Sequence, residues 1–146
     1  MSIKDKFTNE EWMTLEYAPL WVLAAVGTAD GKLDEKEVEA FTKELADAPL
    51  FKDELVREVM LADLMTMSNL MVSYKADSRN VQVGLSQVAD VLDKKSPEHA
   101  DDFKKVLLGI AAKIANASGP AFGEKISQHE KVAFGLVATF LRAKLN

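Results

Sequence analysis

Leu23-Ala-Ala-Val-Gly-Thr-Ala-Asp-Gly31 and Ala111-Ala-Lys-Ile-Ala-Asn-Ala-Ser-Gly119 are two versions of one pattern. Ala24 stands over Ala112, Val26 over Ile114, Ala29 over Ala117 and Gly31 over Gly119, at a constant offset of 88 (112 − 24). Beyond the glycine, Lys32-Leu-Asp-Glu-Lys-Glu37 matches Lys125-Ile-Ser-Gln-His-Glu130 at an offset of 93 (125 − 32), and Phe41 then matches Phe134. The second copy carries Pro120 to Glu124 as an insertion. Each copy reads as a small-residue helix, a glycine turn, an aliphatic plug, a capping box and a second helix. Glycine suits the left-handed conformation that ends a helix. Leu33 and Ile126 are placed to pack just outside the next helix start, as a hydrophobic staple does. Two such units predict pseudo-symmetric helical halves sharing one core.

The rest of the chain has the same helical period. Thr8-Asn-Glu-Glu11, Asp34-Glu-Lys-Glu37 and Ser127-Gln-His-Glu130 are capping boxes, and Ser96-Pro97 places proline at a first helical position. Apolar stripes run through Leu55, Val56, Val59, Met60, Leu64, Met67, Leu70 and Met71, through Val81, Leu85, Val88 and Leu92, and through Phe103, Val106, Leu107, Ile110, Ala111 and Ile114. A fourth takes in Val132, Leu136, Val137, Phe140 and Leu141. The reading is an all-α fold of about seven helices in a single bundle, one domain over residues 1–146. The helices are placed at about Asn9–Tyr17, Pro19–Thr28, Glu35–Ala46, Leu50–Tyr74, Arg79–Asp93, Pro97–Ala117 and Gln128–Lys144. Pro19 is expected to break the first run. Short connections predict that consecutive helices pack as antiparallel neighbours.

Apolar residues make up 48% of the sequence, enough for a continuous core, and charged residues 28%, enough to solvate a surface. With no cysteine, disulfides, thiolate metal sites and a cysteine nucleophile are excluded, and a reducing, cytoplasmic setting fits. The longest apolar stretch, Ala18 to Gly27, is too short to span a bilayer, so no transmembrane segment is expected. A net charge of −5 disfavours nucleic acid as a partner. The lysine pairs Lys94-Lys95 and Lys104-Lys105 have acidic residues close by and read as solvated helix faces. His99 and His129 read as solvated polar positions, and Met60, Met67 and Met71 as core gap-fillers.

Two segments carry a family resemblance: Val26-Gly-Thr-Ala-Asp-Gly-Lys-Leu-Asp-Glu-Lys-Glu-Val38 and Ala117-Ser-Gly-Pro-Ala-Phe-Gly-Glu-Lys-Ile-Ser-Gln-His-Glu130. The chain resembles the TerB-like (tellurite-resistance B) family, which includes a domain of a membrane-tethered DnaJ-like co-chaperone. The resemblance implies an all-helical fold, an association with tellurite and other chemical stress, and no enzymatic activity. It also implies a divalent cation bound by acidic residues near the two helix starts. Asp30, Asp34 and Glu37 match the acidic motif of the first half, and Glu130 matches in the second. The second half departs from it, with Ser118 in the place of Asp30 and Ser127 in that of Asp34.

Read from the residues, the turn from Asp30 to Glu37 offers carboxylates and carbonyls to a hard cation such as Ca, Mg or Mn. Set in the frame of an EF-hand, its first ligand position would fall on Val26, which cannot ligate, so further oxygens must come from elsewhere, Glu130 being one source. Capping alone accounts for Asp34 and Glu37 without a metal. Phe122, between Pro120 and Gly123, either covers the end of the bundle or meets a protein partner. The functional alternatives are thus a metal-binding protein and a helical interaction module with no metal site. No catalytic motif is present: no Ser–His–Asp spacing, phosphate-binding glycine loop or His-Glu-x-x-His.

Overall fold

A computed structural model of the chain describes residues 3–27, 35–47, 51–117 and 128–143. Among them are a short 3-10 turn at Ile3–Lys6 and seven α-helices, with no strand. The helices are α1 (Asn9–Gly27), α2 (Glu35–Ala46), α3 (Glu54–Met65), α4 (Met67–Ala76), α5 (Val81–Lys95), α6 (Pro97–Ala117) and α7 (Gln128–Leu141). One cluster of buried apolar side chains runs from Ile3 to Leu141.

The capping box at Thr8 forms in full. The Glu11 N–H donates to Thr8 Oγ1 at 3.1 Å, and the Thr8 N–H donates to Glu11 Oε1 at 2.8 Å. Two further caps escaped the sequence reading: Asp53 accepts from the Val56 N–H and Asn80 from the Val83 N–H. They move the starts of α3 and α5 from Leu50 and Arg79 to Glu54 and Val81. The boxes at Asp34 and Ser127 lie outside the described residues.

The first run is one helix, not two, because α1 continues through Pro19. Proline removes one helical hydrogen bond at a cost of about 3 kcal/mol. Here Pro19 is buried, and α1 is flanked by α3, α4, α5, α6 and α7, so packing outweighs that loss. Conversely, the long fourth run is two helices. Thr66 leaves helical geometry at φ −122°, ψ 21°, and both its N–H and its hydroxyl donate to the Ala62 carbonyl, at 3.1 and 2.7 Å. A threonine hydroxyl bonded back to the preceding turn bends a helix.

Sequence neighbours are not the main spatial neighbours. The closest packing joins α1 to α5 and to α6, and α2 to α6, whereas α1 and α2 barely meet. Contacts of α1 with α7 and of α6 with α2 are both present, as a twofold relation of the repeated units requires. Burial follows the same relation. Leu15 and Phe103, Leu20 and Leu108, Val22 and Ile110, and Val26 and Ile114 are buried pairs at the offset of 88, while Ala24 and Ala112 are both half-buried. Phe41 and Phe134 both pack on the core at the second offset.

Several side chains sit elsewhere than expected. Lys104 is buried, with Nζ 3.0 Å from Asp93 Oδ1, because the carboxylate lets its charge leave water. On α7 the buried stripe is Ala133, Val137, Ala138 and Leu141, which leaves Val132 and Leu136 exposed. On α3 position 63 is buried and Leu64 exposed, so the stripe passes through an aspartate. Met60 is fully buried, and Met67 and Met71 pack against the core, as expected of gap-fillers.

Candidate functional site

The two halves differ most at one face of α1. Tyr17 and Trp21, one turn apart, are buried there, whereas their counterparts on α6, Lys105 and Gly109, are exposed. What covers Tyr17 and Trp21 is α4, α5 and the loop between them. Tyr74 of α4 meets both rings edge-on, with centroids 5.8 Å from Tyr17 and 6.2 Å from Trp21, and the two α1 rings are 5.5 Å apart. From α5, Gly84 lies against the Trp21 indole so closely that an added Cβ would overlap the ring.

The loop is closed by Arg79. Its guanidinium lies 5.0 Å from the Trp21 centroid and 5.9 Å from that of Tyr17. It meets Asp77 fork to fork: Nε donates to Oδ1 at 2.9 Å and Nη2 to Oδ2 at 2.8 Å. Nη1 donates to Thr14 Oγ1 at 2.9 Å and to Gln87 Oε1 at 2.6 Å. The loop thus joins α1 to α5 through one side chain. Asp77 is preset for this role, since its Oδ1 also accepts from the Arg79 N–H at 2.9 Å. The hydrogen bond from Arg79 holds the Asp77 carboxyl below its ordinary range, and the Asp77 bond raises Arg79 in turn.

Beside this clasp is an open cleft of about 600 Å³, walled by Glu10, Glu11, Met13, Thr14 and Tyr17 of α1, by Asp77, Ser78 and Arg79, and by Gln87, Asp90 and Val91 of α5. Three of its four carboxylates are already engaged. Asp77 holds Arg79, Asp90 lies 2.8 Å from Arg142, and Glu11 serves the Thr8 cap with Lys95 at 3.7 Å. With four of its donors committed, Arg79 is a positioning residue and not a free anion receptor. The cleft is therefore a preset surface, polar but internally paired, with Met13 as its exposed apolar edge.

Two more polar pairs tie the bundle together. His99, expected in solvent, is mostly buried, and its Nδ1 lies 2.6 Å from Asp53 Oδ2, joining the start of α6 to the cap of α3. Lys104 and Asp93 join α6 to α5. His99 and Asp53 lie 46 residues apart, too far to be matched in sequence, whereas Lys104 and Asp93 lie 11 apart on consecutive helices and meet through the fold of α6 against α5.

Of the residues singled out from the sequence, Asp30, Asp34 and Phe122 lie outside the described residues. Glu37 falls on α2 and Glu130 on α7, and their side chains likewise lie outside the description. Among the described residues no three His, Asp or Glu side chains are grouped to hold a metal ion. No described helix is long and apolar enough to cross a membrane. The Arg79 clasp was missed because it joins residues distant in sequence. Its one local signal is the Asp77-Ser-Arg79 spacing, which favours an Asx turn.

The chain is similar to the uncharacterized protein ORF11' of Methanothermobacter thermautotrophicus, 28% identical over 148 residues, an alignment covering 100% of this chain and 97% of that protein. No family model matches the chain, and no solved structure matches it.

Proposed function

We propose that this chain is a non-enzymatic, cytoplasmic binding protein of the TerB-like, stress-associated type, which meets a protein partner at the α1–α5 cleft. The observation that carries this reading is the Arg79 clasp. Four hydrogen bonds and two aromatic faces fix a surface loop at a face where the repeated halves diverge. A contact surface gains by being held rigid before binding, since ordering it later opposes affinity. Polar groups already paired within the surface are also cheap to cover, because their hydrogen bonds persist when water leaves. The cleft is lined by no cysteine or histidine, and Asp77 beside its serine is committed to Arg79, which favours binding over covalent chemistry.

The resemblance favours a second activity of the same protein, a divalent cation at the acidic turn of Asp30, Asp34 and Glu37 with Glu130 contributing. A ligand of the folded state raises stability by about 2.7 kcal/mol at a hundredfold excess over Kd. Titrating Ca, Mg or Mn should therefore raise Tm with concentration, and Asp30→Ala with Glu37→Ala should abolish the rise. A flat Tm for every ion would leave the interaction module with no metal site. For the partner, recovery of one stoichiometric protein from source extract should fall with Met13→Asp and survive Phe122→Ser. The reverse pattern would move the contact to the Phe122 loop.

A further inference from the structure

Asp63 is the least accommodated polar group among the described residues. It is 1% exposed on α3, and neither carboxylate oxygen has a hydrogen-bond partner. The charged group that acts on it is Glu16 of α1, itself buried and of the same sign. The elements packed on α3 are the 3-10 turn, α1, α2, α4 and α6. Lys4 of the 3-10 turn attracts Glu16, and His99 of α6 engages Asp53 at the opposite end of α3. At the offset of 88, Glu16 corresponds to Lys104, equally buried, which has Asp93 at 3.0 Å. The second half meets its carboxylate with a lysine; the first meets Asp63 with another carboxylate.

An ionised carboxylate without donors is expelled from a dry interior, so the form compatible with docked α3 is the neutral acid. Burial, and then the charge of Glu16, push the Asp63 carboxyl well above its ordinary value of 3.8. The helices α3 and α4 form one run broken at its middle. They are separated at Thr66, and α4 rests mainly on α1 and α3. We propose that Asp63 is a proton-operated latch: α3 and α4 stay docked on α1, α2 and α6 while Asp63 is protonated, and loss of the proton loosens them. Loosening uncovers Leu55, Val56, Val59, Met60 and Leu70 beside the already exposed Met65 and Val72.

The folded state binds the proton more tightly than the open state. Docking is therefore strongest below the open-state value and weakens as pH rises toward the folded value, by about tenfold per pH unit in that window. Hydrogen exchange of the full chain from about pH 5 to about pH 8, corrected for intrinsic rates, tests the latch within the range buried carboxyls reach. Protection of amides in α3 and α4 should fall about tenfold per unit while that of α5 and α6 holds. Asp63→Asn should remove the dependence, and Glu16→Gln should make it level off at lower pH. Asp63→Leu checks the same point should the amide fail to fold. Constant protection in the unaltered protein, an unchanged slope in both Asp63 variants, or equal loss across α5 and α6 would overturn the proposal.

Discussion

Three glycines in helices separate what a single residue does for packing from what it does for the chain. Gly84 is there because the Trp21 ring occupies the space of a Cβ. Gly84→Ala should destabilise by about 1–3 kcal/mol, since a fully buried indole has nowhere to move. Gly109 and Gly135 have no atom within 4 Å of the corresponding position. Alanine at either should stabilise by about 0.5–1 kcal/mol through backbone entropy alone. Urea unfolding of the three variants reads both signs, and a stabilised Gly84→Ala would mean that α5 does not approach Trp21 as described. Arg142 adopts a left-handed φ of 54° where α7 ends, a conformation that favours glycine. It is held there by Asp90 and Asp93 of α5.

Among elements, the α4–α5 loop shows how a connection becomes a fixed surface. Arg79→Ala and Asp77→Ala should each cost about 1–2 kcal/mol, as expected for hydrogen bonds between charged groups. The double variant should cost clearly less than their sum, because each single change already breaks the same fork. Additive losses would mean that the fork carries no coupling. Because Asp77 titrates below its ordinary value of 3.8 when folded, its contribution is complete above that value and lost as pH falls through the folded one. The acid limb of a stability profile should therefore flatten in Asp77→Asn. Asp63 works in the opposite direction: its contribution is complete below its open-state value and is lost as pH rises toward the folded one.

Across the described residues, helices of both halves bury their side chains in one cluster, and both tryptophans, Trp12 and Trp21, lie on α1 within it. Below the opening of the latch, tryptophan fluorescence and far-ultraviolet circular dichroism should trace a single coincident unfolding curve. Two separated transitions would mean that the repeated units fold independently. The twofold relation is approximate, since α4 and the Arg79 loop cover α1 and, among the described residues, nothing equivalent covers Gly109 of α6.

Hydrophobic period, capping boxes and the repeat together determined the all-helical bundle and most of its buried stripes, because these are properties of residues three or four apart. Local rules erred where packing overrode them, carrying α1 through Pro19 and placing Asp63 in the stripe ahead of Leu64. For Asp63 the spacing from Val56, Val59 and Met60 did point inward, and only its polarity argued against it. The reach of Arg79 to Thr14 and Gln87 and the buried pairs were decided by tertiary structure. Asp53 with His99 and Thr14 with Arg79 meet only when segments distant in sequence are brought side by side, and Asp93 meets Lys104 only through the angle at which α6 folds back on α5; no local pattern encodes which charge a folded neighbour will present.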